Sequence, residues 1–219
     1  MKHLIESEEL IVEVNSIGME LCSIRSKNRN VEYLWQGDST YWTGQAPVLF
    51  PIIGALKNGQ FKYQGIQYDM PKHGFVRNSP KPKLIEQGPN FLTMALSWDE
   101  ESLKIYPFKF NLTMSFILEG KTLNIQHQIS NEGGGELFYS IGAHPAFNCP
   151  LRKNESYGDY YLEFDQKEQD STWLIDPSGL IRLDQKPFLE HTKELPLHAQ
   201  LFDQDALVFK KLKSRRVGP

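Results

Sequence analysis

Cysteine is nearly missing from this sequence. Cys22 and Cys149 are the only two among 219 residues, too few for a disulfide framework. Positive charge is not in excess either: 24 Lys and Arg stand against 27 Asp and Glu, a formal net charge of −3. No electrostatic case therefore exists for nucleic acid or an anionic membrane as a partner. No stretch is apolar enough to span a bilayer as a helix. The N-terminus, MKHLIESEEL, lacks the apolar run of a secretory signal. These absences predict a soluble, cytoplasmic protein. The glycosylation patterns at Asn111 and Asn154 are accordingly read as chance.

Regular helical patterning is also scarce. No apolar stripe of helical spacing runs longer than two turns, no repeat of fixed period occurs, and no low-complexity tract divides the chain. Pro and Gly are spread evenly, so the expectation is one domain over residues 1–219. What is present is a period of two. FKYQGIQYDM (61–70) alternates about Gln64-Gly65 and predicts a β-hairpin. FKFNLTMSFIL (108–118) alternates Phe110, Leu112, Met114, Phe116 and Leu118, and Gly120-Lys121 turns it into TLNIQHQIS. ELFYSIGA, YYLEF, TWLIDPSGLIRL and ALVFKKL supply further short strands, with Pro177-Ser178-Gly179 as a turn. Apolar residues make up 40% of the chain, ample for one core. The reading is all-β, a sandwich or barrel.

Two stretches interrupt the alternation with a histidine beside glycine: MPKHGFVR, with His73, and IGAHPAF, with His144. Glycine admits close backbone approach or positive φ, and proline fixes the chain direction. Small neighbours leave room above an imidazole that faces a cavity. A turn histidine without a ligand, or a satisfied core histidine, is the plainer reading of either stretch alone. Their recurrence in one all-β domain puts a shared site on an equal footing. Other chemistries find less support. His73, His127, His144, His191 and His198 lack a tight metal-ligand spacing, so no metal is expected. No strand-turn-helix elbow supports a nucleophilic serine. The glycines of NEGGGEL (131–137) precede no helix that would cradle phosphate.

PVLFPIIGALKNGQFKYQGIQYDMPKHGFVR (47–77), YPFKF (106–110), SIGAHPAFNCP (140–150) and LFDQDALVFKKLKSR (201–215) together resemble the aldose 1-epimerase (galactose mutarotase) family, and its LacX-type branch in particular. The resemblance runs over the whole chain in the same order. It implies an antiparallel β-supersandwich with a sugar groove, no cofactor and no metal. It also implies a reaction. The C1 hydroxyl of a free hexose loses a proton while the ring oxygen gains one. The ring opens to an aldehyde, the C1–C2 bond rotates, and closure on the other face gives the opposite anomer. By resemblance His144 is the acid at the ring oxygen and His73 binds the sugar and helps polarise that oxygen. A histidine suits the acid role because its ordinary pKa lies near neutrality. Asp205 matches an aspartate that holds sugar hydroxyls.

Two departures stand beside these matches. Where the family has an arginine after the glycine of FPIIG, this chain has Ala55, expected to face the cleft and leave a gap. Lys57, two residues on, would share its face on a strand and is the substitute sugar contact. The family's general-base glutamate, near the C-terminus of longer relatives, has no match. The expectation is therefore a domain without its C-terminal strands, weak or absent mutarotase activity, and an open apolar sheet edge that promotes dimerisation or aggregation. The ligand is a hexose such as galactose, or a hexose phosphate. The rival from another class is a non-catalytic carbohydrate-binding or regulatory module. A polysaccharide lyase, also built on such sheets, would want a basic groove for uronates, and the slight acidity argues against it.

Overall fold

Antiparallel strands make almost all of the regular structure in the computed structural model, which describes residues 1–218. The strands fall into two compact units, Met1–Asn148 and a second beginning at Cys149.

The first unit opens with β1 (Lys2–Glu6), β2 (Leu10–Asn15) and β3 (Glu20–Ser26), a three-stranded sheet in that order. A two-residue strand, β4 (Val48–Leu49), follows a long irregular stretch. β5 (Gln60–Tyr63) and β6 (Ile66–Asp69) form the expected hairpin. Its two turn residues, Gln64 and Gly65, both take positive φ, +48° and +81°. This is the backbone a two-residue hairpin turn requires. Then come β7 (Lys83–Gln87), β8 (Phe91–Ser97), β9 (Phe110–Glu119) and β10 (Thr122–Asn131), a four-stranded sheet ordered β10-β9-β8-β7. One short helix, α1 (Glu100–Ile105), joins β8 to β9. It is started by Asp99, whose carboxylate accepts from the Ser102 N–H at 2.8 Å. β11 (Gly142–Ala143) returns to pair with β4.

The core explains the register. Every second residue of β9 is fully buried: Phe110, Leu112, Met114, Phe116 and Leu118. They share one apolar cluster with Leu92, Met94 and Leu96 of β8 and with Leu10, Val12 and Val14 of β2. The two sheets therefore bury their inner faces together, as layered antiparallel sheets do. Each such side chain contributes about 1.5–3 kcal/mol. A one-residue slip of β9 would turn this whole set outward.

The second unit is ordered β13-β12-β14, from β12 (Tyr161–Ile175), β13 (Ile181–Pro196) and β14 (Val217–Gly218). The expected Pro177-Ser178-Gly179 turn joins the two long strands. Asp176 Oδ1 holds it by accepting from the N–H groups of Ser178 and Leu180 at 2.8 and 2.9 Å. Phe164, Leu189, Leu195 and Leu201 form a small core of its own.

The chain is all-β, as its periodicity predicts, but two expected strands do not form. Of ELFYSIGA only Gly142–Ala143 is a strand. Before it, backbone groups bond singly to separate partners: Phe138 O accepts from the Tyr106 hydroxyl, and Ser140 N–H donates to Pro51 O, each at 2.8 Å. ALVFKKL makes one bridge, Val208 to Trp173. Two buried carboxylates capture the next N–H groups instead. Asp170 accepts from Lys210 and Lys211, and Glu168 from Lys213 and Ser214.

Candidate functional site

The segment Pro47–Gly54 acts as a spine on which both histidine stretches are mounted. On one side β11 pairs with β4, Gly142 opposite Leu49 and Ala143 opposite Val48. His144 N–H continues the contact to Pro47 O at 3.2 Å. On the other, Phe50 bridges to Gly74, and Phe75 N–H donates to Phe50 O at 3.1 Å. Gly74 is a steric necessity, because a Cβ there would meet backbone, whereas Gly142 faces only the movable end of a side chain. A Cβ on Gly74 would lie 2.0 Å from Phe50 O, and one on Gly142 would lie 2.9 Å from Ile53 Cδ1. Bringing His73 onto the spine is what forces a glycine beside it at position 74.

His73 is fixed at both its backbone and its ring. It adopts φ +68°, a left-handed conformation that a side chain takes only at some cost. Its N–H donates to Gly54 O at 2.8 Å, while its ring Nδ1 accepts from Gly54 N–H at 3.1 Å. An Nδ1 that accepts leaves the proton of the neutral ring on Nε2. Burial, reinforced by the positive charges of Lys72 and Arg77 and by His144, pushes the His73 pKa below its ordinary value. At neutral pH the ring is therefore an uncharged Nε2–H donor.

His144 stands beside it. The two ring centroids are 5.9 Å apart and the rings are inclined at 63°. Trp42 packs on the other neighbour position, with its ring 5.2 Å from that of His144 and tilted 55°. Its loop is tied down by Trp35, whose Nε1–H donates to Trp42 O at 2.7 Å. Gly44 is pressed under the indole, so that a Cβ there would lie 2.5 Å from it. The chain beyond His144 is anchored too. Ala146 N–H donates to Gln45 O, and the Asn148 side chain donates to the carbonyls of Glu32 and Leu34. Sequence reasoning missed Trp42. Its signal was an aromatic residue two positions before a glycine, just ahead of the spine.

The structure thus brings together His73 and His144, 71 positions apart in the sequence, but it treats Lys57 and Asp205 differently. Lys57 lies exposed on the turn Lys57–Gly59. No strand spans residues 50–59, so the period-two argument that set Lys57 on the face of Ala55 has no strand to act on. Ala55 is half-buried and directly follows the glycine that clamps His73. Asp205 belongs to the second unit, exposed at φ +76°, and its Oδ1 accepts from Ala206 N–H at 2.7 Å. The spine also walls an aromatic cavity of about 360 Å³, lined by Leu56, Tyr63, Tyr106 and Phe138 among others. Neither histidine lines it. Among the described residues no three His, Cys, Asp or Glu converge to hold a metal, and no helix is long and apolar enough to cross a membrane.

Comparison with known proteins decides the family. Residues 1–217 match the aldose 1-epimerase family. The chain belongs to that family. It is 41% identical over 223 residues to the chromosomally encoded LacX protein of Lactococcus lactis subsp. lactis, a span of 97% of this chain and 73% of that protein. The structure of a galactose mutarotase related enzyme from Lactobacillus acidophilus superposes with a TM-score of 0.91. There the identity is 28%, over 97% of this chain and 70% of the other. A galactose mutarotase-like protein from Lactobacillus casei ATCC 334 gives 0.88 at 27% identity, over 95% and 71%. The aldose 1-epimerase fold is therefore the setting in which the spine, the two imidazoles and Trp42 are to be understood.

Proposed function

We propose that this aldose 1-epimerase family member binds a free hexose at the His73–His144 pair and supplies the acid half of anomer interconversion there. The observation that carries this reading is the mutual placement of the two rings, 5.9 Å apart with one held as an Nε2–H donor. At that spacing one bound ring oxygen can engage both imidazoles. His73 polarises it and His144 delivers the proton. The C1–ring-oxygen bond then breaks as the C1 hydroxyl gives up its proton to a solvent water, and on reclosure the ring oxygen returns its proton to His144 while the C1 oxygen regains one from water. Trp42 offers the apolar face of a pyranose a flat surface beside the reacting atoms.

Ala55 favours a second reading, a binding module without catalysis. It places no donor where the family resemblance calls for arginine, and no carboxylate of this chain is assigned to the C1 hydroxyl. One paired experiment separates the two. Galactose binding is measured by calorimetry, and α/β exchange by NMR exchange spectroscopy. Binding together with exchange that disappears in His144→Gln supports the acid role. Binding with unaltered exchange supports the module, and no binding by galactose, glucose or their phosphates removes both.

A further inference from the structure

The corner that opens β3 braces both histidine stretches. Gly18 and Met19 take positive φ, +67° and +53°, immediately before Glu20. Met19 is fully buried in the core, which fixes the corner in place. On one side the corner lies against the segment that follows His73. Gly18 N–H donates to Ser79 O at 2.9 Å, and a Cβ on Gly18 would lie 2.4 Å from Arg77 O. Only glycine allows that approach to backbone.

On the other side it reaches the His144 stretch. Glu20 is the first residue of β3, and its Oε1 accepts from the N–H groups of Gln45 and Ala46 at 2.8 and 3.0 Å. Gln45 is the exit of the strap 35–45 that carries Trp42. Its side-chain Nε2 donates to Cys22 O at 2.7 Å and to Trp35 O, at the strap's entry, at 3.1 Å. Both ends of the strap grip one residue just past His144. Ala146 N–H donates to Gln45 O at 2.8 Å, and Trp35 N–H donates to Ala146 O at 2.9 Å. Between its ends the strap is tied to itself, Trp42 N–H donating to Asp38 O at 2.9 Å.

We propose that Glu20 is a positioning residue, which sets the contact between Trp42 and His144 by holding Gln45 and Ala46. Its role in the reaction rests on the sugar-site reading given above. A carboxylate that accepts two backbone N–H groups makes charge-assisted bonds, stronger than those of a neutral acceptor. Without it both N–H groups lose that partner in a part-buried setting, and an unmade bond there costs the desolvation of each group. The strap's exit then shifts to find water. The Trp42 ring moves with it, because the strap is tied to itself and not to the core. The same corner rests on Arg77 O and Ser79 O, so Glu20 registers the His144 side of the site against the segment that follows His73.

NMR of the His144 ring in the sugar-free full chain tests this, since the ring current of the Trp42 indole displaces the His144 ring resonances. Trp42→Ala marks their position with no indole present. Glu20→Ala should move them toward that position while circular dichroism stays native. Glu20→Gln, whose amide oxygen still accepts both N–H groups, should leave them at the wild-type values. Glu20→Asp, too short to reach, replaces the alanine variant if that one does not fold. A residue that only stabilised the fold would lower the unfolding midpoint without moving His144 in the folded protein. Galactose affinity should fall about two- to tenfold in Glu20→Ala, as for loss of the aromatic contact itself, and return in Glu20→Gln. His144 resonances unmoved in Glu20→Ala overturn the proposal, as does a glutamine variant displaced as far as the alanine one. Galactose that fails to bind the wild-type chain removes the sugar reading alone, and the His144 resonances still decide what Glu20 holds.

Discussion

Gly54 and His73 hold each other by reciprocal hydrogen bonds, backbone N–H of His73 to Gly54 O at 2.8 Å and N–H of Gly54 to His73 Nδ1 at 3.1 Å. Both residues sit in left-handed backbone, at +78° and +68°. A Cβ on Gly54 would meet nothing within 4 Å, whereas one on Gly74 would collide with Phe50 O. Gly54→Ala should therefore cost only the conformational term, about 1–2 kcal/mol. Gly74→Ala should cost clearly more or prevent folding. Urea denaturation of the two variants checks the order.

The same clamp sets a pH dependence. Burial, with Lys72, His144 and Arg77 behind it, holds the folded His73 pKa below its ordinary value. The unfolded chain titrates this residue near 6.5. Its contribution to stability is therefore complete above about pH 6.5 and is lost as pH falls through the lower folded pKa. Protonation also turns Nδ1 into a donor facing the Gly54 N–H, which breaks the clamp. An NMR titration should find the His73 midpoint below 6.5, moving upward in Lys72→Gln. A midpoint above 6.5 would contradict the assignment.

Trp42 should matter to binding more than to folding. Its ring packs on His144 while its loop is held independently through Trp35. Trp42→Ala should weaken hexose binding by about 0.5–1.5 kcal/mol, the scale of an aromatic contact beyond its area. Trp42→Phe should recover part of that. Calorimetry on the two variants, with circular dichroism to verify the fold, reads the difference.

In the second unit, burial works to raise the Glu168 carboxyl, but the hydrogen bonds from Ser214 and Lys213 outweigh it and hold it below the usual range. Its stabilisation is present above about pH 4.5 and is lost as pH falls through the depressed folded value. Glu168→Gln should cost about 1.5–3 kcal/mol at neutral pH, the scale of hydrogen bonds to a charged group. It should also flatten the acid limb of a pH–stability curve.

How much of this was legible in the sequence depends on how local the cause is. The alternation of β9, the Gln64-Gly65 hairpin and the Pro177–Gly179 turn follow from neighbours in the chain, and they were readable there. The family was readable too, because the spine and the two histidine stretches are contiguous motifs. Residues 206–212 resemble a strand, yet the N–H groups of Lys210 and Lys211 are taken by the carboxylate of Asp170, about 40 residues away. No periodicity records that. Trp42 escaped for the same reason: its partner His144 lies 102 positions on, and long-range contacts, β11 against β4 and Ala146 N–H to Gln45 O, bring the two segments together.

The central claim is that His73 and His144 form one sugar site. It is tested most directly by nitrogen-15 NMR of the imidazole rings during a galactose titration. The account predicts that the His73 Nε2 and His144 ring signals shift together along one binding isotherm, with His73 remaining the Nε2–H tautomer throughout. Rings that shift at different galactose concentrations, or a sugar that binds while both stay silent, would contradict it.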